Sequence, residues 1–260
     1  MNKELSGREF SSPDSVDEAV IKLDGTKDKS RLGSNAVLAV SIAQRRAFAG
    51  EEGLPLYLSF GEKPILPCPM MNILNGGVHA DNSLDIQEFM IMPAGALTFR
   101  ECMDMGMETY FYLKSLLKQK GFSTAVGDEG GFAPDLKGDE HALEIMSEAV
   151  IKAGLTPGRD IYFALDAASS EWFDGKKYVM KKSGRHFSKD ELIDYYKKLT
   201  DAFCIVSLED GLNEDDFAGF SELTKKTGVQ TVGDDLFVTD TERIKKGIEN
   251  SSARAVLIKP

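Results

Sequence analysis

The sequence predicts an α/β fold, a parallel sheet covered by helices. Three observations point there. From residue 160 onward strand-like and helix-like runs alternate, at the interval of one strand–helix unit. The strand-like runs are almost continuously apolar, as strands buried on both faces are. Each of the last four then terminates in an ionisable residue, Asp166, Glu209, Asp234 and Lys259.

Taken in order, residues 35–53 (NAVLAVSIAQRRAFAGEEG) combine strong helix formers with a glycine stop and predict a helix. Three prolines in GEKPILPCP (61–69) mark an extended crossing and a domain boundary. Strands are expected at MMNILN (70–75) and DIQEFMIMP (85–93), separated by the loop GGVHADN (76–82). A long helix from Thr98 to Lys120 follows, with Phe99, Met103, Tyr110, Leu113 and Leu117 on its core face. A second helix runs from Asp139, expected as its N-cap, to Gly154, with Leu143, Met146 and Val150 buried.

Next come a strand at 161–166 and a capping box, SKDE (188–191), that opens a helix. Strands at 204–210, 230–235 and 254–259 alternate with helices at 215–228 and 239–250.

The 31 basic and 42 acidic residues leave a net charge of −11, which argues against binding to nucleic acid or to anionic membrane. No apolar run approaches the length of a membrane span, and MNKELSGREF lacks the apolar core of a signal peptide. Cys68, Cys102 and Cys204 form no CxxC pair, which suits reduced thiols in the cytosol. There is no GxxxxGK[ST] and no GxGxxG, so nucleotide binding has no support.

The strand-end charges carry the chemistry. In a parallel α/β architecture consecutive strand C-termini converge on one rim, and in (β/α)8 barrels that rim bears the active site. Asp166, Glu209 and Asp234 converging there repel one another unless a cation lies between them. Oxygen donors without His or Cys suit a hard ion such as Mg2+. Beside a dication, Lys259 is expected to have a lowered pKa, as a general base needs. A polar strand end is also what contact with solvent produces; four in succession, in this order of types, favour a site. In AVGDEGGFAP (125–134) Glu129 sits among glycines that permit close approach of a ligand. It is either the acid partner of the lysine or a plain acidic turn. Glu88, in an otherwise apolar strand near His79, requires a partner or a task.

MMNILNGGVHADNSLDIQEFMIMP, AVGDEGGFAP, LDAASSE, SLEDGL and VGDDLFVT together resemble the enolases (phosphopyruvate hydratases) of bacterial type, and the resemblance runs from about residue 20 to Lys259. It implies an incomplete enolase-type (β/α)8 TIM-like barrel in 63–260, its first six strands. Residues 1–62 would be the helical end of an N-terminal α+β domain. The implied activity is the reversible Mg2+-dependent dehydration of 2-phosphoglycerate to phosphoenolpyruvate.

By position, Asp166, Glu209 and Asp234 match the Mg2+ ligands, the last two also facing substrate. Lys259 matches the base that takes the α-proton, and Glu129 the acid at the departing hydroxyl. His79, Gln87 and Glu88 match pocket residues. The family pattern extends beyond both ends of this chain and differs at Pro260, so the isolated polypeptide is expected to be partly molten and inactive. The resemblance further implies a dimer or octamer, a cytoplasmic location and, by analogy, a cell-surface or secreted pool. Another superfamily member, acting on a different carboxylic acid, and a non-catalytic binding or scaffold protein are the alternatives.

Overall fold

The computed structural model describes residues 1–61, 64–127 and 129–259. The expected boundary at Glu62 and Lys63, Asp128 of the acidic loop, and Pro260 lie outside the described residues. The chain divides into two compact units, Met1–Leu66 and Pro67–Lys259.

The first unit is helical: α1 (Asn2–Leu5), α2 (Pro13–Asp24) and α3 (Ser34–Glu51). Helix α2 starts where Ser12 accepts from the Ser15 N–H at 3.2 Å and Pro13 presets the first turn; it ends at Gly25, in the left-handed region at φ 70°. Val16 and Val20 of α2 pack against Val37 of α3.

The second unit contains β1 (Met71–Asn75), β2 (Glu88–Met92), α4 (Phe99–Gln119), α5 (Asp139–Lys152), β3 (Tyr162–Asp166), β4 (Tyr178–Met180) and β5 (Arg185–Phe187). It continues with α6 (Lys189–Ala202), β6 (Ile205–Glu209), α7 (Phe217–Thr227), β7 (Gln230–Gly233), α8 (Thr241–Asn250) and β8 (Ala255–Val256). Six strands form one sheet in the order β1-β2-β3-β6-β7-β8, and β4 and β5 pair separately. The class is the expected one, an α/β fold consistent with an incomplete (β/α)8 barrel.

The sheet is not parallel throughout. β3, β6, β7 and β8 are mutually parallel, but β1–β2 and β2–β3 are antiparallel. Between β1 and β2 there is a loop and no crossover helix, and a parallel pair requires a crossover. Between β2 and β3 lie two helices rather than one, α4 packed on α5, which return the chain to the end of the sheet it left. The sequence reading also missed the β4–β5 hairpin and α2.

Two local expectations change. On α4 the buried residues include Cys102, Gly106, Thr109, Leu113, Leu116 and Leu117, whereas Phe99 (41%) and Met103 (38%) are exposed, so the buried stripe is rotated from the expected one. The N-cap of α5 is Gly138, and Asp139 is its first helical residue. Asp139 is fully buried and serves the core instead. Its carboxylate accepts from the Asp85 and Ile86 N–H groups at 3.0 and 3.3 Å, from Arg185 Nη2 at 2.9 Å and from the Tyr195 hydroxyl at 3.2 Å. Burial pushes its pKa up to about 6 in spite of Arg185. Asp139→Ala would leave two buried N–H groups without an acceptor and leave Arg185 with Glu140 as its one carboxylate partner. It is expected to cost roughly 3–5 kcal/mol, read as a lower denaturant midpoint.

Candidate active site

Strand register builds the site. Glu88 at the start of β2 pairs with Asp166 at the end of β3, and Asp166 pairs with Glu209 at the end of β6. The antiparallel direction of β2 is what brings its first residue to the rim where β3 and β6 end. One carboxylate row therefore crosses three strands. Asp234 follows the end of β7, and Lys259 lies three residues beyond β8. A cleft of ≈ 540 Å³ is lined by all eight residues expected at the site: His79, Gln87, Glu88, Glu129, Asp166, Glu209, Asp234 and Lys259.

Each side chain is held differently. Asp166 is buried, accepting from the Ala168 N–H at 3.0 Å and from Gln87 Nε2 at 3.1 Å. Gln87 thus fixes a carboxylate as well as lining the cleft. Among the described residues no hydrogen bond reaches the Glu209 carboxylate. Asp234 is paired with Lys259. His79 Nδ1 lies 3.7 Å from Glu88 and 4.0 Å from Glu129. That atom is enclosed, and among the described residues it has no hydrogen-bond partner.

Glu129 is placed by glycines. A side chain at Gly127 would meet Asn75 Nδ2 at 2.5 Å, and one at Gly131 would meet the β1 backbone at 3.0 Å. Bare backbone is what lets the loop lie against β1, where the Phe132 N–H donates to the Ile73 carbonyl at 2.9 Å.

Two carboxylates lie beside the expected ones. Asp210 and Asp235 also line the cleft. The signal was present as the doublets ED (209–210) and DD (234–235). Asp210, at φ 42°, spends its oxygens on backbone, accepting from the N–H groups of Asp234 at 3.2 Å and Asp235 at 2.7 Å. It shapes the loop that presents Asp234. Two acidic groups here could hold a metal ion, Asp166–Glu209–Asp210 and Asp210–Asp234–Asp235, and a third is His79–Glu88–Glu129. The three expected ligands are divided between the two groups, Asp166 and Glu209 in one and Asp234 in the other, with Asp210 common to both.

The electrostatics follow from crowding. Burial first, and then neighbouring carboxylates, push Asp166 up to about 6 and Glu209 up to about 9. Burial and the Asp166 charge push Asp210 up to about 7, against its backbone hydrogen bonds. Oxygen-only donors that resist ionising together are what a hard divalent cation fits. Burial and a hydrogen bond with Glu129 raise Glu88 to about 9, while the same bond lowers Glu129. Burial thus favours the protonated form at Glu88. Lys259 departs from expectation. The expected fall presupposed an adjacent cation; with Asp234 as its hydrogen-bond partner, the lysine is held above its usual value.

The fold and the rim define a barrel-type α/β protein whose strand ends gather carboxylates beside a lysine. Residues 63–260 match the family model described as the enolase C-terminal TIM barrel domain, and residues 1–60 match that of the enolase N-terminal domain. The chain belongs to the enolase family, whose domains carry an enolase-type lyase function. Among the described residues no helix is long and apolar enough to cross a membrane.

Proposed function

We propose that this site carries out the reversible dehydration of 2-phosphoglycerate to phosphoenolpyruvate, the step of glycolysis and gluconeogenesis, with Mg2+ as cofactor. The observation that carries the reading is the register-aligned row Glu88–Asp166–Glu209 in one cleft with Lys259 and Glu129. Asp166, Glu209 and Asp234 would hold the metal. The positive charge it supplies when bound stabilises the extra negative charge that develops on the substrate carboxylate when the α-proton leaves.

The chain's own groups divide the remaining work. Lys259 Nζ takes the α-proton, which requires that it first surrender the proton it keeps while paired with Asp234. Engagement of Asp234 elsewhere removes that pairing. Glu129 assists loss of hydroxide as an acid. Burial favours a proton on Glu88, and transfer of that proton to Glu129 would arm it. His79 lies against both carboxylates, and Gln87 fixes Asp166.

The proposal includes a cytoplasmic location and a homo-oligomer. The test uses the protein as its own cells make it. With 2-phosphoglycerate and Mg2+ it is expected to form phosphoenolpyruvate, seen as rising ultraviolet absorbance, to stop with chelator and to resume with added Mg2+. Metal binding without product from 2-phosphoglycerate would overturn the reading.

A further inference from the structure

Lys182 lies in the tight turn between β4 and β5, some hundred residues from the loop it touches. Its ammonium donates to the Gly77 carbonyl at 2.7 Å, the Ala80 carbonyl at 2.6 Å and Asn82 Oδ1 at 3.3 Å. An ammonium has three donors, and all three serve the segment that contains His79. Hydrogen bonds from a charged donor are roughly twice as strong as neutral ones.

The turn is fastened in return. Asp85 accepts from the Lys182 and Ser183 N–H groups, each at 3.0 Å. Asp139 holds the Asp85 N–H and Arg185, on either side of that link. On the loop side, Asn82 Nδ2 donates to the Asn75 carbonyl at 2.9 Å and the Pro134 carbonyl at 3.0 Å. The turn is thus a fixed post and the ammonium a strap thrown from it across residues 77–82. His79 lies between the two strapped carbonyls, 3.7 Å from Glu88 and 4.0 Å from Glu129.

We propose that Lys182 is a positioning residue: its ammonium holds the 77–82 loop, and with it His79, against the Glu88–Glu129 pair. The inference rests on the reading of His79 as part of the reaction site.

The test compares the native protein with Lys182→Met, which keeps the stem and loses the donors, and with Lys182→Arg, which keeps the charge. In the Met variant, amide hydrogen exchange across 77–82 is expected to quicken about 10- to 100-fold, with α6 and α7 unchanged. The 15N-histidine signal of His79 should broaden while those of His141 and His186 stay put. The kcat for 2-phosphoglycerate should fall about tenfold with Mg2+ affinity unchanged, and Arg should restore most of it.

Unchanged exchange at 77–82, or a uniform rise over the whole domain, overturns the proposal. So does a local rise in exchange with normal kcat, provided His79→Ala is inactive. If His79→Ala is fully active, the reading of the site has failed while the strap stands on the exchange data. Should Lys182→Met not fold, Lys182→Gln, neutral and shorter, goes through the same readouts with the same outcomes expected.

Discussion

Lys259→Ala is expected to lower turnover of 2-phosphoglycerate by about 10²–10⁴-fold, the usual contribution of a positioned base. Little else should change. The Lys259 side chain is 68% exposed. The chain around it is held by backbone, through the Leu257 N–H to the Gly233 carbonyl at 3.0 Å and the Lys259 N–H to Thr239 Oγ1 at 3.0 Å. The melting temperature should therefore stay close to that of the parent. Mg2+ affinity should be equal or greater, because the ammonium competes with a cation for Asp234. Solvent deuterium should no longer enter the α-position of 2-phosphoglycerate, which separates loss of the base from loss of binding. Normal exchange in the alanine variant would place the base elsewhere.

The second large effect is on stability against pH. With a chelator present, the protein is expected to become less stable as pH rises from about 5 to about 9. Asp166, Asp210 and Glu209 have folded pKa values of about 6, 7 and 9, above their ordinary values of 3.8, 3.8 and 4.5. Well below the ordinary values, both folded and unfolded chains are protonated at these groups, and their contribution is fully present. Between the ordinary and the raised values the folded state binds more protons than the unfolded one, so stability falls as pH rises and is lost through the folded values. Shifts of this size sum to several kcal/mol across that range, so at roughly 2–4 °C per kcal/mol for a domain of this size a fall in melting temperature of more than about 10 °C is expected.

Saturating Mg2+ should flatten or reverse that slope, since the ionised carboxylates are the form that binds it and binding to the folded state stabilises by mass action. Scanning calorimetry at pH 5.5 and 8.5, with chelator and with Mg2+, reads both effects. A melting temperature that rises with pH under chelator would show that the cluster is not crowded as described. Indifference to Mg2+ at pH 8.5 would remove the metal site.

Much of the fold could be read locally. The capping box at Ser188–Glu191 formed as its spacing predicts, because both partners lie within one turn, and Thr98–Glu101 forms a second. Gly154 ends its helix at φ 78°, as a glycine past a helix C-terminus does. Helix α2 was equally legible, in Ser12-Pro13 before it and Gly25 after it, and was passed over. That the eight expected residues line one cleft was legible for a related reason. Apolar strands that end in charge announce their own rim, and the family motifs then named the members.

Other features depend on partners distant in sequence. Strand direction at β1–β2–β3 follows from how many helices intervene and where they pack. Asp139 looks like a helix cap until residues 85, 185 and 195 are brought around it. Asp210 gains its bracing task only when the 234–236 backbone closes over it. Lys259 looks like a lysine with a lowered pKa until Asp234 faces it. Composition, period and spacing dictate which residues can end a strand or start a helix, because those choices are settled within a few residues by backbone geometry and solvent. Which carboxylate keeps its proton, which one braces a loop and which lysine straps His79 in place are settled by burial and by contacts 24 to 100 residues apart, and only the folded chain sets those.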